Sequence, residues 1–230
     1  MIDQLKNKVI VSVQAEGSEP LNTPDCLLAL SQSAINGGAG GLRLCGIKSI
    51  IHIKKEISIP IIGLTKTNPT PINWLEKVYI TPTMRDVKDL IKTGIDFIAI
   101  DGTERPRIDD STLEDQIDLI KSEGKIVVCD VSTFEDGLGA IELGADILST
   151  TLSGYTKETR YKVNIGPDFD LLAEFIAESS IPVIMEGRIW FPHEVKKSFE
   201  IGAYAVVIGT AITRPHIITK RFVNAVPVLE

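Results

Sequence analysis

The sequence predicts an α/β protein, a (β/α)8 TIM barrel of eight parallel strands ringed by helices. Three observations carry that expectation. Short runs rich in Ile and Val alternate with amphipathic stretches from end to end, and the runs are mostly unbroken by polar residues, as in strands covered on both faces. Eight strand–helix pairs in 230 residues give about 29 residues per unit. A weak repeat marks the joints: Gly94-Ile95-Asp96, Gly144-Ala145-Asp146 and Gly202-Ala203-Tyr204 each close a helix and open a strand, at intervals of 50 and 58 residues, near two units apiece.

The elements follow in order. KVIVSVQ (8–14) is the first strand, and DCLLALSQSAIN (25–36) the helix after it, closed by Asn36-Gly37-Gly38. GLRL (41–44) leads to IKSIIHIKKEI (47–57). Ile59-Pro60 opens the third strand, PIIGLTK (60–66). The long connection TNPTPINWLEKVYITPT (67–83) carries three prolines and reads either as a lid or as a rigid turn covering a core edge with Trp74. MRDVKDLIKTG (84–94), DFIAID (96–101), STLEDQIDLIKSEG (111–124), KIVVCD (125–130) and TFEDGLGAIELG (133–144) continue the alternation. DILSTT (146–151), DFDLLAEFIAES (168–179), PVIMEG (182–187), PHEVKKSFEIG (192–202), AVVIGT (205–210) and ITKRFVNAV (218–226) complete it. In the helical stretches the glycines suit left-handed C-cap positions.

A doubly wound open sheet is the competing architecture. Its G-x-G-x-x-G fingerprint is missing after the first strand, which runs into Gln14-Ala15-Glu16-Gly17-Ser18, and GGAGG (37–41) precedes a strand rather than a helix. No linker or low-complexity segment interrupts the chain, so residues 1–230 are expected to form a single domain.

The net charge of −7 argues against nucleic acid and against anionic membrane as partners. Cys26, Cys45 and Cys129 are odd in number and far apart, which suits a reducing compartment. MIDQLKNK has no apolar stretch behind a basic head, and no run reaches the ~18 apolar residues of a membrane span, so a cytoplasmic location is expected.

In such barrels the chemistry sits where strands end and loops begin. The polar residues closing the strands are Gln14, Arg43, Lys66, Asp101, Asp130, Thr151, Glu186 with Arg188, and Thr210 with Arg214. VVIGTAITRP (206–215) ends an apolar run in Gly209 and Thr210, with no charge before Arg214. The seventh strand ends likewise in Gly187 and Arg188. Glycine lets backbone N–H groups approach an anion, a helix start adds partial positive charge, and barrels commonly hold phosphate after strands seven and eight. These five residues are therefore the expected phosphate site, with bidentate arginine contacts available.

Lys66 concludes an apolar run at the rim. Burial and a neighbouring cation such as Arg43 would favour its neutral form, a usable base; a Schiff-base lysine and an ion pair with Asp101 or Glu186 are the other readings. Glu186 follows Met185 as an acid/base partner, a hydroxyl binder or a counter-ion, and Asp130 is placed to bind substrate hydroxyls. His52, His193 and His216 close no strand and make no H-E-x-x-H spacing, so no metal site and no cofactor are expected.

As a set, VSVQAEGSEPL (11–21), GLRLCG (41–46), IIGLTK (61–66), VYITPT (78–83), IDGTERPR (100–107), CDVST (129–133), DILSTTLSGYT (146–156), GPDFDLL (166–172), PVIMEGRI (182–189) and GAYAVVIGTAITRPHIITKRF (202–222) resemble the bacterial N-acetylmannosamine-6-phosphate 2-epimerases over nearly the whole chain. Cys45, Thr67 and Trp190 depart from the residues expected there: asparagine, a basic residue and histidine. The resemblance implies a cofactor-free and metal-free isomerase of sialic acid and amino-sugar breakdown, an N-acylglucosamine-6-phosphate 2-epimerase. Lys66 would be its acid/base at C2 and Glu186 the active-site partner. Gln14, Arg43 and Asp130 would position the sugar, and Gly187, Arg188, Gly209, Thr210 and Arg214 the phosphate. It also implies a homodimer, with exchange of the C-terminal helix in some relatives. Two other functions stay open on sequence: another metal-free phosphosugar isomerase or lyase using Lys66 as a Schiff base, and a non-catalytic phosphosugar-binding barrel.

Overall fold

The strands close into a parallel barrel in sequence order, each pairing with the next and the eighth with the first. The computed structural model describes residues 1–68, 70 and 72–227. The strands are β1 (Lys8–Val13), β2 (Gly41–Cys45), β3 (Ile61–Leu64), β4 (Phe97–Asp101), β5 (Ile126–Asp130), β6 (Ile147–Ser149), β7 (Val183–Glu186) and β8 (Ala205–Ile208). The helices are α1 (Pro24–Asn36), α2 (Ile47–Lys54), α3 (Met84–Lys92), α4 (Leu113–Ser122), α5 (Phe134–Glu142), α6 (Phe169–Glu178), α7 (Pro192–Ile201), α8 (Thr210–Thr213) and α9 (Pro215–Val223). The expected fold class and strand–helix alternation are found; β8 ends before Thr210, which starts the short α8, and the last helix begins at Pro215.

Side chains alternate across a strand with period two, and this sorts the apolar residues into two cores. Val11, Val13, Leu42, Leu44, Ile98, Ile100, Val127, Leu148, Met185 and Val206 face the helices. Ile10, Ile62, Leu64, Phe97, Ala99, Val128, Ile147, Ile184, Ala205 and Val207 fill the barrel, with Leu5 among them. The inward phase continues to the C-terminal strand ends. Ile10 gives Ser12 and then Gln14, and Ile62 and Leu64 give Lys66. Val128 gives Asp130, Ile147 gives Ser149, and Ile184 gives Glu186. The inward side chains that close the strands are therefore polar, and this end of the barrel holds the site.

Threonines start many of the helices. The hydroxyls of Thr23, Thr83, Thr112 and Thr133 accept from the backbone N–H three residues on, and Asp115 and Asp136 complete capping boxes. Gly94, Gly144 and Gly202 do have positive φ (73°, 99° and 121°), as the joint motif required. Strand six is shorter than expected, because Thr150–Leu152 form a 3-10 turn.

Gly137 in α5 yields a prediction. A Cβ there would lie 2.1 Å from the Phe175 ring, which is fully buried and packed against the tilted Phe134 ring, centroids 5.4 Å apart. Alanine would gain ~1 kcal/mol of helix propensity. Overpacking a ring that cannot withdraw costs ~1–3 kcal/mol. Gly137→Ala is therefore expected to lower the melting temperature, and a variant that melts above wild type would refute the packing argument.

The 67–83 connection folds back over β3. Lys66 pairs antiparallel with Ile80, Thr67 N–H donates to Tyr79 O, and Val78, Ile80 and Thr81 are buried. Arg105 donates to Trp74 O from an ion pair with buried Asp101. The second half of this loop thus has the pinned character of a rigid cover; Pro69 and Pro71 lie outside the described residues.

Candidate active site

A cavity of about 400 Å³ opens at the C-terminal strand ends. Gln14, Arg43, Lys66, Glu186, Gly187, Arg188, Gly209, Thr210 and Arg214 all line it, nine of the ten residues given acid/base, sugar or phosphate roles from sequence. The tenth, Asp130, does not reach the wall. It is fully buried beneath it, held by Arg43, so direct contact with sugar hydroxyls is not what the structure gives it.

Arg43 organises the floor. Its Nη1 donates to Asp130 Oδ1 (3.0 Å) and its Nη2 to Asp130 Oδ2 (2.5 Å), while Nη1 also stands 3.0 Å from Glu186 Oε2. Arg43 is 1% exposed. Burial opposes its charge, but the two carboxyls more than reverse that and raise its pKa. Glu186 differs from Asp130 in keeping 12% of its side chain exposed to the cavity. Burial pushes its carboxyl up; Arg43 pulls it down, the charge of Asp130 pushes it up again, and the balance is upward. A carboxyl raised above its ordinary range beside a cavity is suited to giving and taking a proton.

Lys66 departs from its expected setting. Its Nζ donates to Glu16 Oε1 at 2.9 Å, not to Asp101 or Glu186. The setting expected from sequence is not found: a quarter of the side chain is exposed, and Arg43 is compensated by two carboxyls. Burial would raise the Glu16 carboxyl, yet the charge and hydrogen bond of Lys66, with Arg214 behind, hold it below its ordinary value. Asp101 is turned away to Arg105 and Thr103.

On the phosphate side, Thr210 starts the helical turn α8 after Gly209, and the first N–H groups of such a turn have no partner within it. Arg188 has positive φ (58°) and donates to two loop carbonyls, Gly166 O at 2.5 Å and Ser153 O. Among the described residues no carboxylate forms an ion pair with it. Arg214, by contrast, is paired with Glu19. Two anions of the β1–α1 loop, Glu16 and Glu19, therefore contact Lys66 and Arg214, two of the four cations expected to meet substrate. Neither anion was singled out from sequence, because a loop has no periodicity to say where its carboxylates point. Tyr79, Thr151, Tyr155 and Trp190 also line the cavity, and Arg221 of α9 lies 3.8 Å above the Trp190 ring.

All three cysteines are free. Burial pushes the Cys45 thiol up to about 11, so it is no thiolate nucleophile at neutral pH. Among the described residues no group of three His, Cys, Asp or Glu side chains is placed to hold a metal ion, and no helix is long and apolar enough to cross a membrane.

Residues 27–228 match the model of the NanE family, described as "Putative N-acetylmannosamine-6-phosphate epimerase". The chain belongs to this family. Among its NanE relatives, a putative N-acetylmannosamine-6-phosphate 2-epimerase of Clostridioides difficile is 42% identical, covering 99% of this chain and all of that protein. One from Caldanaerobacter subterraneus is 44% identical, covering 97% of this chain and 93% of that protein. The solved N-acetylmannosamine-6-phosphate 2-epimerase of Clostridium perfringens superposes with a TM-score of 0.92 at 41% identity, over 98% of this chain and 96% of that one. A thiamine phosphate pyrophosphorylase of Pyrococcus furiosus, at 14% identity and a TM-score of 0.60 over 92% of this chain and 89% of that one, shares the barrel alone.

Proposed function

We propose that this NanE protein interconverts N-acetylmannosamine 6-phosphate and N-acetylglucosamine 6-phosphate by removing and returning the proton at C2. The observation that carries the reading is one cavity with two kinds of wall: Lys66 and Glu186 on one part, and Gly209, Thr210 and Arg214 on another. Family membership over nearly the full length supports the same substrate.

The chemistry needs few parts. The C2 hydrogen becomes acidic once C1 is an open aldehyde, and its removal gives an enediolate. Arg43 and Lys66 are cations able to stabilise that charge, an effect worth several kcal/mol in dry sites. Returning the proton on the opposite face inverts C2. Lys66 is assigned as the acid/base and Glu186 as its partner, with Gln14 and Arg43 orienting the sugar and Asp130 acting through Arg43. The phosphate, held by Gly187, Arg188, Gly209, Thr210 and Arg214, supplies binding energy remote from C2. No metal or cofactor step is invoked. The setting is amino-sugar breakdown, including that of sialic acid, in the cytoplasm.

The deciding experiment is a coupled assay with both 6-phosphorylated N-acetylhexosamines in deuterated water. Epimerisation with deuterium entering C2 is expected, and the unphosphorylated sugars should turn over far more slowly. Turnover without C2 exchange would overturn the mechanism, and equal rates on the unphosphorylated sugars would overturn the phosphate site.

The reading includes a homodimer. Its support is α9, which buries none of its residues and leaves Phe222 and Val223 exposed, 74% and 61%. Light scattering should give twice the 25.1 kDa chain mass, and a monomer at micromolar concentration would refute it.

A further inference from the structure

At the cavity wall, where Thr151 sits with Glu186, a single hydrogen faces two acceptors. The Thr151 hydroxyl stands 2.7 Å from Asp130 Oδ1 and 3.1 Å from Glu186 Oε2. A hydroxyl has one hydrogen to donate and lone pairs to accept. Were both carboxyls ionised, one of those oxygens would meet a lone pair. The charges raise the same difficulty, since Arg43 brings one positive charge to two buried carboxyls. Both difficulties end if the pair holds one proton: Glu186 donates to Thr151, and Thr151 donates to Asp130. Ser149, whose hydroxyl is 2.8 Å from that of Thr151 and 3.4 Å from Glu186 Oε2, braces the link from β6.

We propose that Thr151 is a positioning residue for the epimerisation, the hydroxyl bridge through which Glu186 and Asp130 share one proton. The inference rests on the epimerase reading and deepens it by giving buried Asp130 a part in the chemistry. The transfer balances. The Glu186 O–H bond breaks as a new one forms on Thr151, and the original Thr151 O–H breaks as Asp130 gains its hydrogen. Negative charge moves from Asp130 to Glu186 and no electrons are lost. Reversal recharges Glu186, the one of the two carboxyls that lines the cavity. The charged groups facing Glu186 are Arg43 from β2, Asp130 from β5 and Lys66 beyond β3.

The test compares Thr151→Val, which keeps the shape and removes the hydroxyl, with Thr151→Ser, which keeps the hydroxyl. Thr151→Val is expected to lower kcat about 10²-fold, the lower range for a proton-transfer contribution, with KM changed by less than about threefold. The pH-profile limb reporting loss of the shared proton should move to lower pH, because the lost bridge is satisfied only while the pair holds that proton. Thr151→Ser should stay within about threefold of wild type in kcat. Wild-type kcat and an unmoved limb in Thr151→Val would overturn the bridge, and so would a Thr151→Ser loss as large as that of Thr151→Val, which would mean packing. Independently of any variant, wild-type kcat plotted against deuterium fraction should curve, as for two protons moving together, and a straight line would overturn it. Wild type inactive on N-acetylmannosamine 6-phosphate would remove the underlying reading, whereas active wild type with an indifferent Thr151→Val removes the bridge alone.

Discussion

Replacing Lys66 by methionine is expected to abolish deuterium exchange at C2 and to lower kcat by about 10³-fold or more, the range for loss of a positioned acid or base. The fold should scarcely notice. The Lys66–Glu16 pair is part-exposed, with side chains 25% and 44% accessible, and such pairs contribute only ~0–1 kcal/mol. Methionine retains most of the stem that packs at the rim. The pair also shows what the enzyme must do before Lys66 acts as a base. The amine donates to Glu16, so that contact must be exchanged for one with the sugar. A melting temperature near wild type combined with lost exchange would mark a chemical role. Retained turnover in Lys66→Met would end the assignment of Lys66 as the acid/base.

The barrel was legible because burial on both strand faces removes polar interruptions, and because Gly94, Gly144 and Gly202 punctuate alternate units. The site was legible for a related reason. A polar residue at an inward strand end, such as Arg43, Glu186 or Lys66, stands out against the apolar run before it. What that reasoning could not give was pairing. Asp101 and Asp130 close neighbouring strands with the same inward phase, yet Asp101 serves Arg105 and Asp130 serves Arg43. The choice depends on which arginine the fold brings near. Glu16 and Glu19 lie on a loop whose path depends on tertiary contacts. Thr151 was seen as a strand end, but its position between two carboxyls arises from the 3-10 turn that cuts β6 short.

The second large effect is on stability. Arg43→Met is expected to cost about 3–5 kcal/mol, the usual penalty when one partner of a buried ion pair is removed and the other charges stay behind. Met has a similar volume, so little of this would come from a cavity. The penalty should depend on pH in a definite direction. The Glu186 carboxyl is already raised in the folded state, by burial and by Asp130 against the pull of Arg43, and loss of Arg43 raises it further. A carboxyl so raised binds its proton more tightly folded than unfolded. The stability it contributes is present below the unfolded value near 4.5 and is lost as pH rises toward the folded value. The deficit of Arg43→Met should therefore widen from acid to neutral pH in urea titrations. Adding Asp130→Asn, which removes one of the stranded charges, should restore part of the loss at neutral pH. An Arg43→Met protein as stable as wild type at neutral pH, or one whose deficit shrinks as pH rises, would mean that the buried cluster is not held by this arginine.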